Sequence, residues 1–318
     1  MKAAVVTRFG ETPRYTDVPE PIAIGEDEVV VDVLASALSP RTRSHAAGSH
    51  YSSTGDLPLI PGIDGVGRLP DGGLAYFLLP DTNKGAMAER VTIDRRRSVA
   101  LPEGVEPIMI AATMNPAMAS WVALRQRITF EPGQSVLILG ATGNAGRVAI
   151  QVAHRLGART ITAVGRDIER LGDVAKYEAH QVVDLDADPH TVAQHLAEAG
   201  KEVDVVLDFL WGEPASKALR AIVPHRRYDE QLLSWIQIGS VAGPEASIPS
   251  AALRAVNLRI LGSGQGSVGT RAYRQEIGTL AQVIHEGAFD ITTRCAPLSE
   301  VSTAWTDVAG TDRIVIVP

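Results

Sequence analysis

The stretch SVLILGATGNAGRVAIQ, residues 135–151, joins an apolar run to three spaced glycines and then to an amphipathic pattern. Ser135–Gly140 reads as a buried strand. After it, Ala145, Val148, Ala149, Val152 and Leu156 recur at helical spacing. Between strand and helix, Gly140 lets the chain turn sharply and Gly143 lets the backbone approach a pyrophosphate. Gly146 lets the helix pack closely on the sheet. An anion would then rest on the free N–H groups of the helix N-terminus, so Ala141, Thr142, Asn144 and Ala145 join the three glycines as predicted dinucleotide contacts. The spacing is GxxGxxG rather than GxGxxG, and a bare triplet could be a packing turn. The flanking strand and helix, and the length of the following βαβ unit, favour the nucleotide loop.

Outward from this loop the pattern repeats. The strand TITAVG precedes a helix around Ile168–Tyr177, and the strand HQVVDL precedes a helix around Thr191–Ala199. The strand VDVVLDFL follows, and strands at Ser234–Gly239 and Leu258–Gly262 complete the series. Strands alternating with helices predict a parallel sheet covered on both faces. Leu210 and Ser240 then fall at carboxyl ends of strands, the edge where a nucleotide rests. The second strand ends Ala163-Val164-Gly165-Arg166. A cofactor without a 2′-phosphate usually meets an acid there; Gly165 stands in its place and Arg166 follows. Arg166 can make a charge-assisted contact with a 2′-phosphate, and Arg170, one turn on, can add to it. The cofactor expected is NADP(H). The alternatives are that both arginines are solvated helix-start charges and that Asp167 serves a ribose.

The first hundred residues are β-rich instead, with KAAVVTRF, EVVVDVLASALS and MAERVTIDRRRSVALP as short strands. Between them, Pro40 to Pro80 is rich in turn residues and poor in periodic apolar ones. A chain of 318 residues with 45% hydrophobic and 21% charged residues can fill two cores. Its net charge of −7 argues against a nucleic-acid partner. The single cysteine, Cys295, excludes a disulfide framework, a cysteine-rich zinc lobe and an iron–sulfur cluster, and points to the reducing cytoplasm. The opening run breaks at Arg8 and lacks a signal-peptide core. Pro107 to Leu124 approaches membrane length, but Thr113, Asn115-Pro116 and Ser120 make it a buried helical entry of a soluble chain; no membrane is expected.

Taken in order, these segments resemble a zinc-free medium-chain dehydrogenase/reductase of the quinone oxidoreductase type. EDEVVVDVLASALSP resembles its first strand pair, LPLIPGIDGVGRL its Pro-Gly-x-Glu/Asp-x-x-Gly stretch, and GAMAERVTI its Gly-x-x-Ala-Glu strand. AATMNPAMASWVAL, the glycine loop, VDVVLDFLWG and PLSEVSTAW…RIVIVP follow in register. The resemblance implies an α/β chain: a GroES-like β-rich catalytic domain built from both ends, with a Rossmann domain inserted. The expected limits are 1–112 for the first part of the catalytic domain and 113–250 for the nucleotide domain. Residues 251–318 carry the last Rossmann strand and the return. It also places Gly239, Ser240, Gly262 and Ser263 near the nicotinamide, and implies a homodimer joined along Leu258–Gly262.

The departures carry equal weight. Zinc-dependent relatives have Cys where this chain has Ser39 and His where it has Ile63, so no metal is expected. His45 and His50 lie nearby as polar loop residues. The Asn-Pro-x-Asp turn of quinone reductases reads Ser39-Pro40-Arg41-Thr42. Ser39 is carried over as a cofactor contact, while Arg41 and Arg43 could meet phosphate. Without a metal, the remaining chemistry is hydride delivery to a quinone or to the β-carbon of an enone, with donors for the developing oxyanion. Tyr51 resembles the cleft tyrosine of such enzymes and His50 competes with it; the alternative for Tyr51 is a plain loop residue. Asn115 either caps a helix entry or faces the substrate. Asp64 is expected to hold local structure. His225-Arg226-Arg227 could border the cofactor cleft, Arg95–Arg97 reads as a solvated turn, and Cys295 as core. Two further functions stay open: a catalytically weak NADP(H)-binding regulatory or interaction protein, and an enoyl-thioester reductase.

Overall fold

A computed structural model describes residues 1–307, 310 and 312–318. In chain order the described residues form β1 (Lys2–Val5), β2 (Arg14–Asp17), β3 (Glu28–Ala37), α1 (Pro40–Ala46), β4 (Asp64–Arg68), β5 (Leu74–Leu78), β6 (Arg90–Asp94) and β7 (Ser98–Ala100). Next come α2 (Pro107–Val122), β8 (Ser135–Leu139), α3 (Asn144–Arg155), β9 (Thr160–Gly165), α4 (Ile168–Ala175), β10 (Gln181–Asp184), α5 (Pro189–Gly200) and β11 (Val205–Asp208). The chain continues with α6 (Gly212–Ile222), β12 (Leu233–Gln237), α7 (Ala252–Ala255), β13 (Leu258–Gly262), α8 (Thr270–His285), β14 (Thr293–Pro297), α9 (Val301–Thr306) and β15 (Arg313–Val317). Two compact units result, Met1–Asn115 with Arg274–Pro318, and Pro116–Tyr273.

In the second unit six parallel strands run in the order β10-β9-β8-β11-β12-β13. Counted along this unit, that is the doubly wound order 3-2-1-4-5-6, which reverses direction between β8 and β11. Strand β8 is buried along its whole length, as a central parallel strand must be when helices cover both faces. One face packs Leu137, Leu139, Val206, Leu219, Ile222 and Trp235 into a continuous core. Register fixes what matters for function. Val164 pairs with Leu139, Leu139 with Asp208, Asp208 with Gln237 and Gln237 with Gly262. Five strand ends therefore stand in one row, and the loops that follow them open on one edge.

In the first unit the sheet order is β14-β15-β3-β4-β5-β7, with β6 also on β3, so the two ends of the chain share one sheet. Val315 pairs antiparallel with Ala37. The turn-rich segment from Pro40 to Pro80 holds more structure than its pattern suggested, namely α1, β4 and β5. Strand β4 was hidden because glycine stands where side chains would alternate. A Cβ on Gly65 would lie 2.9 Å from the Ala35 carbonyl oxygen, so the strand pairing itself requires glycine.

Three expectations need correcting. Asn115 is not at a helix entry: α2 begins at Pro107, where the missing N–H is harmless, and Asn115 lies half-buried inside the helix. Cys295 is exposed, because Ala296 takes the inward position of β14 and alternation turns its neighbour outward. Arg95–Arg97 keeps its reading as a solvated turn: it is a single 3₁₀ turn with no buried residue, capped by Asp94, whose side chain accepts from the Arg96 N–H. Within His225–Arg227, His225 lines the groove between α5 and α6 that reaches Arg166 and Leu210, whereas Arg226 and Arg227 lie at the opposite end of the strands. Arg226 is buried there and donates to the Gly200 and Val203 carbonyls at 2.8 and 2.6 Å, at the entry to β11 rather than its exit. Among the described residues, Pro107–Arg127 is the one helical stretch apolar and long enough to cross a membrane. Of its most apolar window, 72% is buried, the position of a core helix.

Candidate functional site

The loop 140–146 closes at the reversal point of the sheet. Gly140 has φ +91°, a left-handed conformation, and its N–H and that of Ala141 both donate to the Val164 carbonyl at 2.8 and 3.0 Å. Gly146 is wedged tighter still, since a Cβ there would stand 2.2 Å from the Gly140 carbonyl oxygen. Gly143 differs. It is exposed, and a Cβ would meet only the Gly140 oxygen at 3.6 Å, so what glycine preserves there is open space over the loop. Gly143 is also the N-cap of α3 and has no side chain to satisfy the first turn. The Arg147 N–H is the first to bond back, to the Gly143 carbonyl. The N–H groups of Asn144, Ala145 and Gly146 precede it, the first-turn donors of a helix on which an anion can rest.

At the end of β9, Gly165 is buried and a Cβ would lie 2.8 Å from the Thr142 methyl, so the glycine loop presses directly on it. An acidic side chain cannot occupy that position without displacing Thr142. Arg166 is exposed and makes no ion pair among the described residues. Asp167 is engaged otherwise, as the N-cap of α4, accepting from the Glu169 and Arg170 N–H groups. Arg170 turns back on Asp167 at 3.2 Å. A groove of about 1120 Å³ between α5 and α6 opens beside Arg166, Leu185 and Leu210.

Asp208 is the residue the sequence reading passed over. It is completely buried at the end of β11. Its Oδ1 accepts from Leu210 N at 2.9 Å and Trp211 N at 2.8 Å, and its Oδ2 from the Trp235 indole at 3.0 Å. Burial pushes its carboxyl above the usual range; the Trp211, Trp235 and Leu210 donors oppose that. The signal was present in sequence as an acid at the close of an otherwise apolar strand run, which must find donors if buried. Gly239 bonds from its N–H to the Asp208 carbonyl at 3.1 Å, and Ser240 beyond it is exposed. Gly262 is exposed, while the half-buried Ser263 donates from its N–H to the Gln237 carbonyl at 2.8 Å. The Arg127 guanidinium fastens this last strand end by donating to the Gly262 and Ser267 carbonyls. The row of strand ends thus brings together Gly140–Gly146, Gly165, Arg166, Leu210, Gly239, Ser240, Gly262 and Ser263.

Ser39, Tyr51 and Asn115 belong to the other unit. Ser39 is buried and caps α1, its Oγ accepting from Thr42 N at 2.9 Å and sharing a 2.8 Å bond with Thr42 Oγ1. Arg41 forks onto Asp81 at 2.7 and 2.8 Å, and Arg43 donates to the Trp305 carbonyl, so both cations have protein partners. Tyr51 is exposed, with its ring 4.4 Å from that of His50. Asp64 is fully buried and accepts from the Tyr76 hydroxyl at 2.6 Å. At the positions of the zinc ligands, the Ser39 hydroxyl is already bonded within its own turn and Ile63 is a buried aliphatic chain. Among the described residues no group of three or more His, Cys, Asp or Glu is placed to hold a metal ion. These donors do not fit zinc.

His45 offers a check on this unit. It is buried beside the Arg41–Asp81 pair, and burial holds its imidazole below the ordinary histidine range; the Asp81 charge opposes this and Arg41 adds to it more weakly. A depressed value in the folded state means that the unfolded chain binds the extra proton. The stability from neutral His45 is therefore present above pH ~6.5 and lost as the pH falls through the lower folded value. His45→Gln is expected to flatten the decline of melting temperature between pH 7 and 5. An unchanged slope would remove His45 from the acid response.

A doubly wound sheet with an uncapped helix N-terminus at its reversal point defines a dinucleotide-binding α/β unit. The profile of the zinc-binding dehydrogenase family matches residues 145–282. A probable NADPH-dependent quinone reductase, tdiC, of Emericella nidulans is 29% identical, with all of both chains covered. A mitochondrial NAD(P)H oxidoreductase of Danio rerio is 29% identical over 70% of this chain and 64% of its own. Among solved structures, the quinone oxidoreductase of Thermus thermophilus, also determined with NADPH, is 25% identical with a TM-score of 0.78 over the whole of both chains. A mycobacterial quinone oxidoreductase, 18% identical, shares the fold at a TM-score of 0.84 over both full chains. Over its whole length the chain is similar to medium-chain dehydrogenases/reductases, in their quinone oxidoreductase-like group, and it is an oxidoreductase.

Proposed function

We propose that this chain is an NADPH-dependent reductase that passes hydride to a quinone or an α,β-unsaturated carbonyl without a metal. The observation that carries the reading is the exposed Arg166, which makes no ion pair among the described residues, beside Gly165 and directly next to the glycine loop. The N–H groups of Asn144–Gly146 would receive the pyrophosphate, and Arg166 the 2′-phosphate. Leu210, Gly239, Ser240, Gly262 and Ser263 would line the remainder of the cofactor, with Ser39 as a contact from the GroES-like unit. Bound NADPH supplies the hydride; the protein's part is to orient it and to offer a donor to the substrate oxygen. Tyr51 is the proposed donor, through its hydroxyl, and Asn115 a second polar group on the substrate side. The family and the NADPH-dependent quinone reductase among the relatives support the substrate class. A homodimer joined along β13, the outermost strand of its sheet, and a cytoplasmic location complete the proposal.

The test is NADPH oxidation with a panel of quinones and enones. Turnover with at least one acceptor is expected, unchanged by prior treatment with EDTA, from a species sedimenting at twice the chain mass. Tight NADPH binding with no turnover across the panel would replace the enzyme by a dinucleotide-binding regulatory protein. Activity confined to enoyl thioesters would move it to the other substrate class.

A further inference from the structure

The turn after β11 is held by an unusual convergence. Three N–H groups, from Leu210, Trp211 and the Trp235 indole, end on the one buried carboxylate of Asp208. Trp211 adopts a backbone at φ 53°, ψ −155° in this arrangement, a region that β-carbon sterics disfavour. Such a conformation persists only where its surroundings over-determine it, and here the Asp208 bonds do so. The consequence reaches the glycine loop. Leu210 accepts at its carbonyl from Ala242 N at 2.9 Å, and its side chain fills the space a Cβ on Gly140 would enter, 3.0 Å from that point.

We propose that Asp208 is a positioning residue for the dinucleotide. Through its two backbone bonds it fixes Leu210 against Gly140, and so holds the loop in the shape that presents the N–H groups of Asn144–Gly146. The carboxylate touches no cofactor itself; it acts across the reversal point of the sheet, from β11 to the turn after β8. The proposal rests on the NADPH reading above, which names the contacts, and adds the residue that sets their geometry.

Asp208→Asn separates this role from simple bulk. The amide keeps the size, but if its oxygen stays on Leu210 and Trp211, its NH₂ faces the Trp235 indole N–H, donor against donor. Loss of a buried acceptor of this kind is expected to raise the NADPH dissociation constant roughly tenfold, read by cofactor fluorescence. The KM for NADPH should rise with it, while kcat at saturating cofactor changes by less than about threefold. Combining Asp208→Asn with Trp235→Phe removes the opposed donor and should restore most of the affinity. Should Asp208→Asn fail to fold, Leu210→Ala decides. It leaves the carboxylate bonds intact, removes the contact on Gly140, and should weaken NADPH binding by a similar factor. Affinity in the folded Asp208→Asn chain, or in Leu210→Ala, within about twofold of wild type would overturn the positioning role alone. A wild-type chain that does not bind NADPH would overturn both this inference and the reading beneath it.

Discussion

Gly146→Ala is expected to lose NADPH affinity by more than about 100-fold and to lower the melting temperature by on the order of 5–10 °C. The reason is steric and local. The added methyl would stand 2.2 Å from the Gly140 oxygen, 2.6 Å from the Ala141 Cα and 2.8 Å from the Gly140 carbonyl carbon. All three are backbone atoms, so no rotamer change relieves the clash. Either α3 retreats from the sheet or the loop moves off the Val164 carbonyl, and overpacking of this kind costs about 1–3 kcal/mol or more. Both movements also disturb the N–H groups that would hold the pyrophosphate. Gly143→Ala is the matched comparison. Its Cβ has room at 3.6 Å, so the protein should melt normally, yet the methyl stands over the exposed loop and should still hinder the cofactor. Calorimetry and NADPH titration of the two variants distinguish packing from access. A Gly146→Ala protein with wild-type melting and affinity would show that the loop does not pack as described.

Arg166→Ala should change cofactor preference rather than stability. The guanidinium is exposed and makes no ion pair among the described residues, so its removal breaks no ion pair within the fold. A charge-assisted contact to a phosphate is worth about 1.5–3 kcal/mol, which predicts a roughly 10–100-fold fall in kcat/KM for NADPH and a much smaller change for NADH. Arg170 is not expected to compensate, since it is drawn to Asp167 at 3.2 Å and Asp167 is itself committed to capping α4. The preference of wild type for NADPH should also weaken with added salt, because the contact is at the surface. Equal losses for the two cofactors would place the 2′-phosphate elsewhere.

Much of the second unit was legible because parallel strands and helices write their periods plainly. Leu258–Gly262 was placed to the residue, and the glycine loop fell between β8 and α3 as its flanks required. The first unit was harder to read. Its β4 is DGVGR, whose two glycines erase the alternation that announces a strand, and the pairing that demands them lies with β3, far away in sequence. Asn115 misled for a related reason. An Asn-Pro pair suggests a helix start, but burial of the preceding apolar residues from Ile110 to Met114 carries the helix through it.

What the sequence determined by itself was the order of strands in the second unit, the chemistry of the loop, and the absence of an acid at Gly165 in favour of Arg166. Those depend on neighbours along the chain and on period, which the sequence contains. The tertiary structure decided which isolated polar groups matter. Asp208 became a hub only because β11 lies between β8 and β12, bringing the Trp235 indole to one carboxylate oxygen and Leu210 against Gly140. Conversely Arg41 and Arg43 lost their freedom to meet a phosphate when folding supplied Asp81 and Trp305 as partners, and Arg226 was drawn to the Gly200 and Val203 carbonyls. A charge in a sequence has no partner until the chain closes, and a buried one must find it there.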